Sequence, residues 1–189
     1  LIIYIWIGVA MGNDIKRCIM IFPEFQNINT INEIRETYDP FVNNVSPHIT
    51  LVFPFESKIK EYQLKNWMNE ALKGVKPFNV ELEGIIKISS DSSLYLCLEV
   101  KKGKEEIREI HSRLYDGILK AYKPQWLSQV EFIPHMTIGK FSSEEELNIA
   151  YKKIGNVKEK FFSKVDKISA EIVVKNDRSI REIEINLQE

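Results

Sequence analysis

The chain has 189 residues, enough for one domain with a sizeable core. Apolar residues make up 44% and charged residues 28%, a balance typical of soluble globular proteins, and a formal net charge of −1 excludes a global field that draws in long nucleic acids. Cys18 and Cys97 offer neither a disulfide framework nor metal-ligand spacing, so both are expected as reduced strand residues of a cytoplasmic protein.

Leu1–Ala10 is almost wholly apolar, lacks a basic flank, and is half the roughly 20 residues that span a bilayer. Residues 1–10 are therefore expected to be an upstream extension, with Met11 a natural start, 11–189 a single domain, and no membrane partner. Ile15–Phe22 is an apolar run that predicts a buried strand. Thr30 and Glu33 suggest a capping box, with Ile31, Ile34 and Tyr38 at helical spacing and Pro40 as the stop. A short strand is predicted at 48–53. Leu64, Trp67, Met68, Ala71, Leu72 and Val75 then mark an amphipathic helix over 60–74, ended by Gly74 and Pro77. Phe78, Val80, Leu82, Ile86 and Ile88 alternate, as do Leu94, Leu96, Leu98 and Val100, which gives two strands around a serine-rich turn.

Beyond Gly103 the order returns. Ile107, Ile110, Leu114, Ile118 and Tyr122 form a helical stripe over 105–122, closed by Pro124. A strand is predicted at 135–141, then a helix capped by Ser143 and Glu146 and stopped by Gly155. Ile168, Ala170, Ile172 and Val174 alternate, and Ile183, Ile185 and Leu187 do so after an Asn176-Asp177 turn. Each half thus reads helix, strand, helix, strand, strand. The duplication predicts an α+β fold of two similar lobes, about 25–102 and 103–189, each an antiparallel sheet with two helices, related by a pseudo-twofold axis across a central groove.

The duplicated strands carry a duplicated motif. Pro47-His48-Ile49-Thr50-Leu51 and Pro134-His135-Met136-Thr137-Ile138 share one pattern, and they hold two of the chain's three histidines. Side chains alternate along a strand, so His48 and Thr50 share one face while Ile49 and Leu51 take the other, and likewise in the second copy. Two imidazoles and two hydroxyls would then face one groove. An imidazole titrates near 6.5, so one can act as base while the other acts as acid, and the hydroxyls can bind phosphate oxygens. Thr is a poor zinc ligand and no close His or Cys pair is present, so neither a metal nor another cofactor is expected. His111, on the Ile107–Leu114 stripe, belongs to neither motif and is expected to be structural.

The paired motifs and their repeated setting over about 15–187 resemble the 2H phosphoesterase superfamily, which includes the 2′-5′ RNA ligase-like proteins and cyclic nucleotide phosphodiesterases. The resemblance implies metal-independent acid–base chemistry on a 2′,3′-cyclic phosphate end of a nucleotide or RNA, with His48, Thr50, His135 and Thr137 as catalytic residues. The alternatives are 2′-5′ ligation or cleavage, and a non-catalytic nucleotide- or RNA-binding protein using the same cleft. A monomer is expected.

Three further residues are candidate substrate contacts. Lys140 follows His135 by an odd offset, which points it away from the motif face unless Gly139 permits a bulge. The first copy has Phe53 at that place, which suits an aromatic side for stacking a base; Tyr95 is a similar candidate.

Overall fold

The computed structural model describes residues 14–90 and 93–188; residues 1–10, Met11 and the middle of the serine-rich turn lie outside them. Eight strands and four helices follow in chain order: β1 (Ile15–Ile21), α1 (Ile28–Tyr38), β2 (Ile49–Ser57), α2 (Glu61–Ala71), β3 (Phe78–Ser90), β4 (Ser93–Lys102), α3 (Lys104–Leu114), β5 (His135–Phe141), α4 (Glu144–Ile154), β6 (Lys160–Val165), β7 (Lys167–Val173) and β8 (Ser179–Asn186). The strands form an antiparallel sheet in the order β6-β3-β4-β5-β2-β1-β7-β8. At its centre β5 and β2 meet through one pair, Ile49 opposite Met136, so the sheet is two four-stranded halves hinged on that contact.

The fold is the expected α+β arrangement of two similar lobes about a central groove. Each lobe has two helices: α1 and α4 lie against the β4–β5 side, α2 and α3 against β8 and β2. The sequence division is different from the one expected. The lobes do not coincide with residues 25–102 and 103–189, because β1 and β2 pair with β7 and β8 while β3 and β4 join β5 and β6. Apolar alternation shows that a strand has a buried face, but not whose edge it docks on. Here β1 supplies the outer partner of the first motif strand and β4 that of the second, so each hairpin crosses to the other half.

The core lies between sheet and helices. Ile19, Ile21, Ile49, Leu51, Leu96, Leu98, Met136 and Ile138 are all at most 1% exposed, so the apolar residues of both motifs point inward as alternation requires. Two charged pairs are buried with them. Arg17 makes a two-pronged contact with Glu182, at 2.6 and 2.8 Å, and donates to the Ile59 carbonyl; Arg35 pairs with Asp39 at 2.8 Å.

Three local expectations are corrected. Helix α1 starts at Ile28 with Asn27 before it, and no Thr30 cap forms. The Asn27 side chain is instead engaged by Glu159 and the Lys160 carbonyl. The stripe over 105–122 is not one helix: α3 stops at Leu114 and 3-10 turns follow at Gly117–Tyr122 and Gln125–Ser128. Gly117 has φ +55°, outside the helical region, and lies against the Trp67 ring, where a side chain would collide. Strand β6 was not expected, since Phe161 is buried while its neighbour Phe162 is 58% exposed at the sheet's edge, which blurs the apolar pattern. By contrast Ser143 does cap α4, its Oγ accepting from the Glu146 N–H at 3.2 Å.

His111 is buried as expected. Its Nδ1 donates to the Leu51 carbonyl at 2.7 Å and its ring stacks on Phe132 at 3.8 Å. Replacing His111 by Ala should destabilise the fold by about 1–3 kcal/mol, because the buried Leu51 carbonyl loses its donor. Urea unfolding checks this, and an unchanged midpoint would contradict it.

Candidate active site

The central pair sets the geometry. Strands β2 and β5 run antiparallel with Ile49 opposite Met136. One residue to either side, the same register brings His48 beside Thr137 and His135 beside Thr50. All four side chains then share the face opposite Ile49 and Met136, which is the groove. The two imidazoles are diagonal neighbours, a relation that separates Cβ atoms by about 7–8 Å.

Both imidazoles are anchored alike. His48 Nδ1 lies 2.9 Å from the Ser46 carbonyl, and His135 Nδ1 lies 2.7 Å from the Ile133 carbonyl. A carbonyl oxygen only accepts, so each Nδ1 carries a proton and each Nε2 is the nitrogen that titrates. The residue between in each case is proline, whose missing N–H ends the ladder there and leaves the preceding carbonyl open to the ring.

Burial holds both rings below their ordinary value of 6.5, against the opposing pull of the backbone carbonyl each one donates to. His48 feels more. The Arg35 guanidinium pushes it further down, Asp39 pushes it up, and His135 pushes it down. The Arg35–Asp39 pair also shapes the loop that delivers His48: Arg35 donates to the Val45 carbonyl at 2.8 Å and Asp39 accepts the Phe41 N–H at 2.9 Å. In α3, the place of Arg35 is taken by His111. Sequence reasoning missed this pair. Its one signal was an i, i+4 Arg-Asp spacing, which reads equally well as a solvated helix surface.

A bulge follows each Thr. In β5, Ile138 is the extra residue between the pairs Cys97–Thr137 and Leu96–Gly139; in β2, Leu51 is extra between Met20–Thr50 and Ile19–Val52. A Cβ at Gly139 would come within 3.0 Å of Tyr38 in α1, so Gly139 lies on the helix side. The bulge therefore returns Lys140 to the groove face, directly opposite Tyr95, whereas strict alternation would turn it away. The Lys140 ammonium stands 5.1 Å over the Phe41 ring. Phe53, the counterpart of Lys140, is enclosed by Trp126 at 4.9 Å and Phe132 at 6.4 Å. Lys140 and Tyr95 are thus brought together, and Phe53 sits in a separate aromatic cluster.

Phe22 contacts the His48 ring at 6.0 Å, and the Arg181 guanidinium lies 5.3 Å over the Phe22 ring. A cleft of about 850 Å³ is lined by Phe22, Ser46, Pro47, Ser169, Arg181 and Glu184, and its lining includes none of His48, Thr50, His135 and Thr137. Cys97, opposite Thr137, is buried and its thiol is pushed up to about 12, so it is no nucleophile near neutral pH. Among the described residues, no group of three or more His, Cys, Asp or Glu gathers as a metal site would require, and no helix is long and apolar enough to cross a membrane.

Comparison with known proteins agrees with this architecture. The family model of the 2′-5′ RNA ligase superfamily matches residues 23–173. A Bacillus licheniformis protein provisionally named a phosphoesterase is 30% identical over 69% of this chain and 74% of its own length. One from Geobacillus thermodenitrificans, named in the same way, is 31% identical over 74% and 77%. Among solved structures, Escherichia coli LigT complexed with phosphate superposes with a TM-score of 0.58 at 14% identity, covering 94% of this chain and all of LigT. The LigT complex with 3′-AMP gives 0.60 at 14% identity, covering 93% and 99%. With the duplicated motif at its centre and both halves of its sheet accounted for, the chain belongs to the 2′-5′ RNA ligase superfamily and has the fold of the 2H phosphoesterases.

Proposed function

We propose that the protein is a metal-independent phosphoesterase that opens 2′,3′-cyclic phosphate ends of nucleotides or RNA. The observation that carries this reading is the matched anchoring of His48 and His135. Each ring has Nδ1 tied to a carbonyl and Nε2 free, the two on diagonal positions of one groove. That LigT is found with phosphate and with 3′-AMP supports a ligand of this class.

In hydrolysis the base Nε2 takes a proton from water as its oxygen bonds to phosphorus. The acid Nε2 gives its proton to the ribose oxygen as the P–O bond of the ring breaks. Charge moves onto the non-bridging oxygens meanwhile, and Thr50 and Thr137 donate hydrogen bonds to them. The matched anchoring lets either Nε2 serve as the base with the other as the acid. The Lys140 ammonium, on the same face, draws the anionic phosphate into the groove. With a 5′-hydroxyl of another strand attacking in place of water, the same groups would open the cyclic phosphate at its 3′-oxygen and form a 2′-5′ phosphodiester, the linkage for which the superfamily is named.

The direct test is a turnover screen with 2′,3′-cyclic mononucleotides, cyclic-phosphate-ended oligonucleotides and 2′-5′ dinucleotides. Turnover of the first two classes is expected; turnover of 2′-5′ dinucleotides alone would move the reading to 2′-5′ cleavage, and none at all would leave a binding protein. Replacing either His48 or His135 by Ala should lower kcat by about 10²–10⁴-fold. Thr50→Val and Thr137→Val should slow the reaction without removing either limb of its pH profile. Near-wild-type rates in either His variant would refute the mechanism. Activity should also persist in EDTA, and a loss restored by zinc or manganese would count against it.

The pH dependence has a definite sign. Both rings are held below 6.5 in the free protein, so near neutrality both are neutral and the acid lacks its proton. The ratio kcat/KM reports the free enzyme and should decline as pH rises through the higher of the two depressed values, hence already below 6.5. A bound phosphodiester anion favours the imidazolium, so kcat should peak at higher pH than kcat/KM. Coincident optima on the alkaline side of neutrality would contradict this account.

A further inference from the structure

Two connections of unequal length end in the same way. From α1 to β2 the chain takes residues 39–48, and from α3 to β5 it takes 115–134, twice the length. Despite that difference, the residue three before each motif histidine is held by the helix that precedes the connection. Arg35 of α1 donates from its guanidinium to the Val45 carbonyl at 2.8 Å. Arg108 of α3 donates to the Phe132 carbonyl at 3.3 Å. One turn further along α3, the His111 ring lies flat against the Phe132 ring, 3.8 Å away and 6° from parallel. Arg35 and His111 both stand eighth in their helices.

What lies between the held residue and the histidine is stiff. It is Ser46-Pro47 in one half and Ile133-Pro134 in the other. Proline fixes its own φ, and a residue before proline is confined to extended backbone. A hold on Val45 or Phe132 is therefore carried to the Ser46 or Ile133 carbonyl with little play. Those are the carbonyls that accept from Nδ1 of His48 and His135. The holds are themselves braced. Arg35 is buried with its Nε on Asp39 at 2.8 Å, and Asp39 takes the Phe41 N–H at the start of the same loop. His111 is buried as well, and its bond to the Leu51 carbonyl ties it to the residue after Thr50.

We propose that Arg35 and His111 are positioning residues for the two imidazoles: each fixes the residue three before its histidine and, through the proline, the carbonyl that keeps the proton on Nδ1. Both act through the backbone and not on the substrate. The proposal rests on the functional reading above for the work done at Nε2. Which ring nitrogen of a neutral histidine carries the proton is set by the bond the other one makes, and an imidazole without an acceptor at Nδ1 favours the proton on Nε2. A loosened carbonyl would thus block the nitrogen that must act as base.

The test reads the tautomers directly, from the ¹⁵N resonances of histidine-labelled protein slightly above neutral pH, assigned with His48→Ala and His135→Ala. Wild type should show the Nδ1–H form at both rings; the Nε2–H form at either would overturn the proposal by itself. Arg35→Lys keeps the charge but not the fork that reaches Asp39 and Val45 together. It should move His48 toward the Nε2–H form, leave His135 as it is, and lower kcat roughly 10- to 100-fold with KM little changed. His111→Asn keeps a donor for Leu51 and loses the stack, so it should move His135 and spare His48. His111→Phe restores the stack and should recover most of the kcat that His111→Asn loses. A merely structural role would lower the folded fraction and leave the tautomers of the folded protein alone. A wild-type tautomer pattern in either folded variant, Arg35→Lys or His111→Asn, would overturn the proposal. The expected shifts without turnover of any cyclic phosphate would support the positioning role and refute the proposed reaction alone.

Discussion

Everything in the groove depends on one backbone contact, the pairing of Ile49 with Met136. Among the described residues it is the one strand pairing that joins the two halves of the sheet, and it sets both faces at once. On the helix side it locks two side chains with no exposed surface into a shared core. On the other side it forces the neighbours of those residues, two imidazoles and two hydroxyls, into one patch. A slip of one residue in either strand would send its His into the core and an apolar side chain into the groove. The core therefore stabilises the site's geometry, because the register that buries Ile49 and Met136 is also the one that aligns the histidines.

The prolines complete that arrangement. Pro47 and Pro134, each two residues before the central pair, bring no N–H that could extend it. The carbonyl before each proline then holds Nδ1 of the next histidine, and the Leu51 carbonyl receives its donor from His111. Two symmetric anchors are nonetheless set in unequal surroundings. Arg35 and Asp39 lie behind His48, the segment that carries Trp126 and Phe132 leads into His135, and Lys140 faces the groove where the other lobe has Phe53. Duplication supplied two equivalent groups, and their surroundings make them unequal.

Much of this was legible in the sequence, for a reason that also marks the limit. Alternation along a strand is a local property, so the division of His48 and Thr50 from Ile49 and Leu51 needed no knowledge of neighbours. The helix stripes were legible on the same ground. Strand order was not, because a buried face says nothing about which edge accepts it; β1 and β7 are distant in sequence yet adjacent in the sheet. The bulge at Ile138 was visible only as a possibility suggested by Gly139, and deciding it required the close approach of Tyr38. The break after α3 was hidden because Ile118 and Tyr122 fit a helical period, while Gly117 before them takes a positive φ. Arg35 looked like a surface charge until the loop it grips was in place.

The exchange of strands between the halves has a consequence for how the chain reaches this state. Strand β1 finds its outer partner in β7, with Arg17 opposite Ile172 and Met20 opposite Ser169. The half of the sheet that holds the first motif strand thus cannot close during synthesis until β7 has left the ribosome, long after β1 and β2. Such long-range closure is entropically expensive before it is rewarded, which places the molecule among slow-folding topologies. During that interval the apolar edge of β1 and β2 is uncovered, and the nascent protein is at its most prone to wrong association. A repeat that might have made two self-sufficient modules has instead made two halves that mature only together.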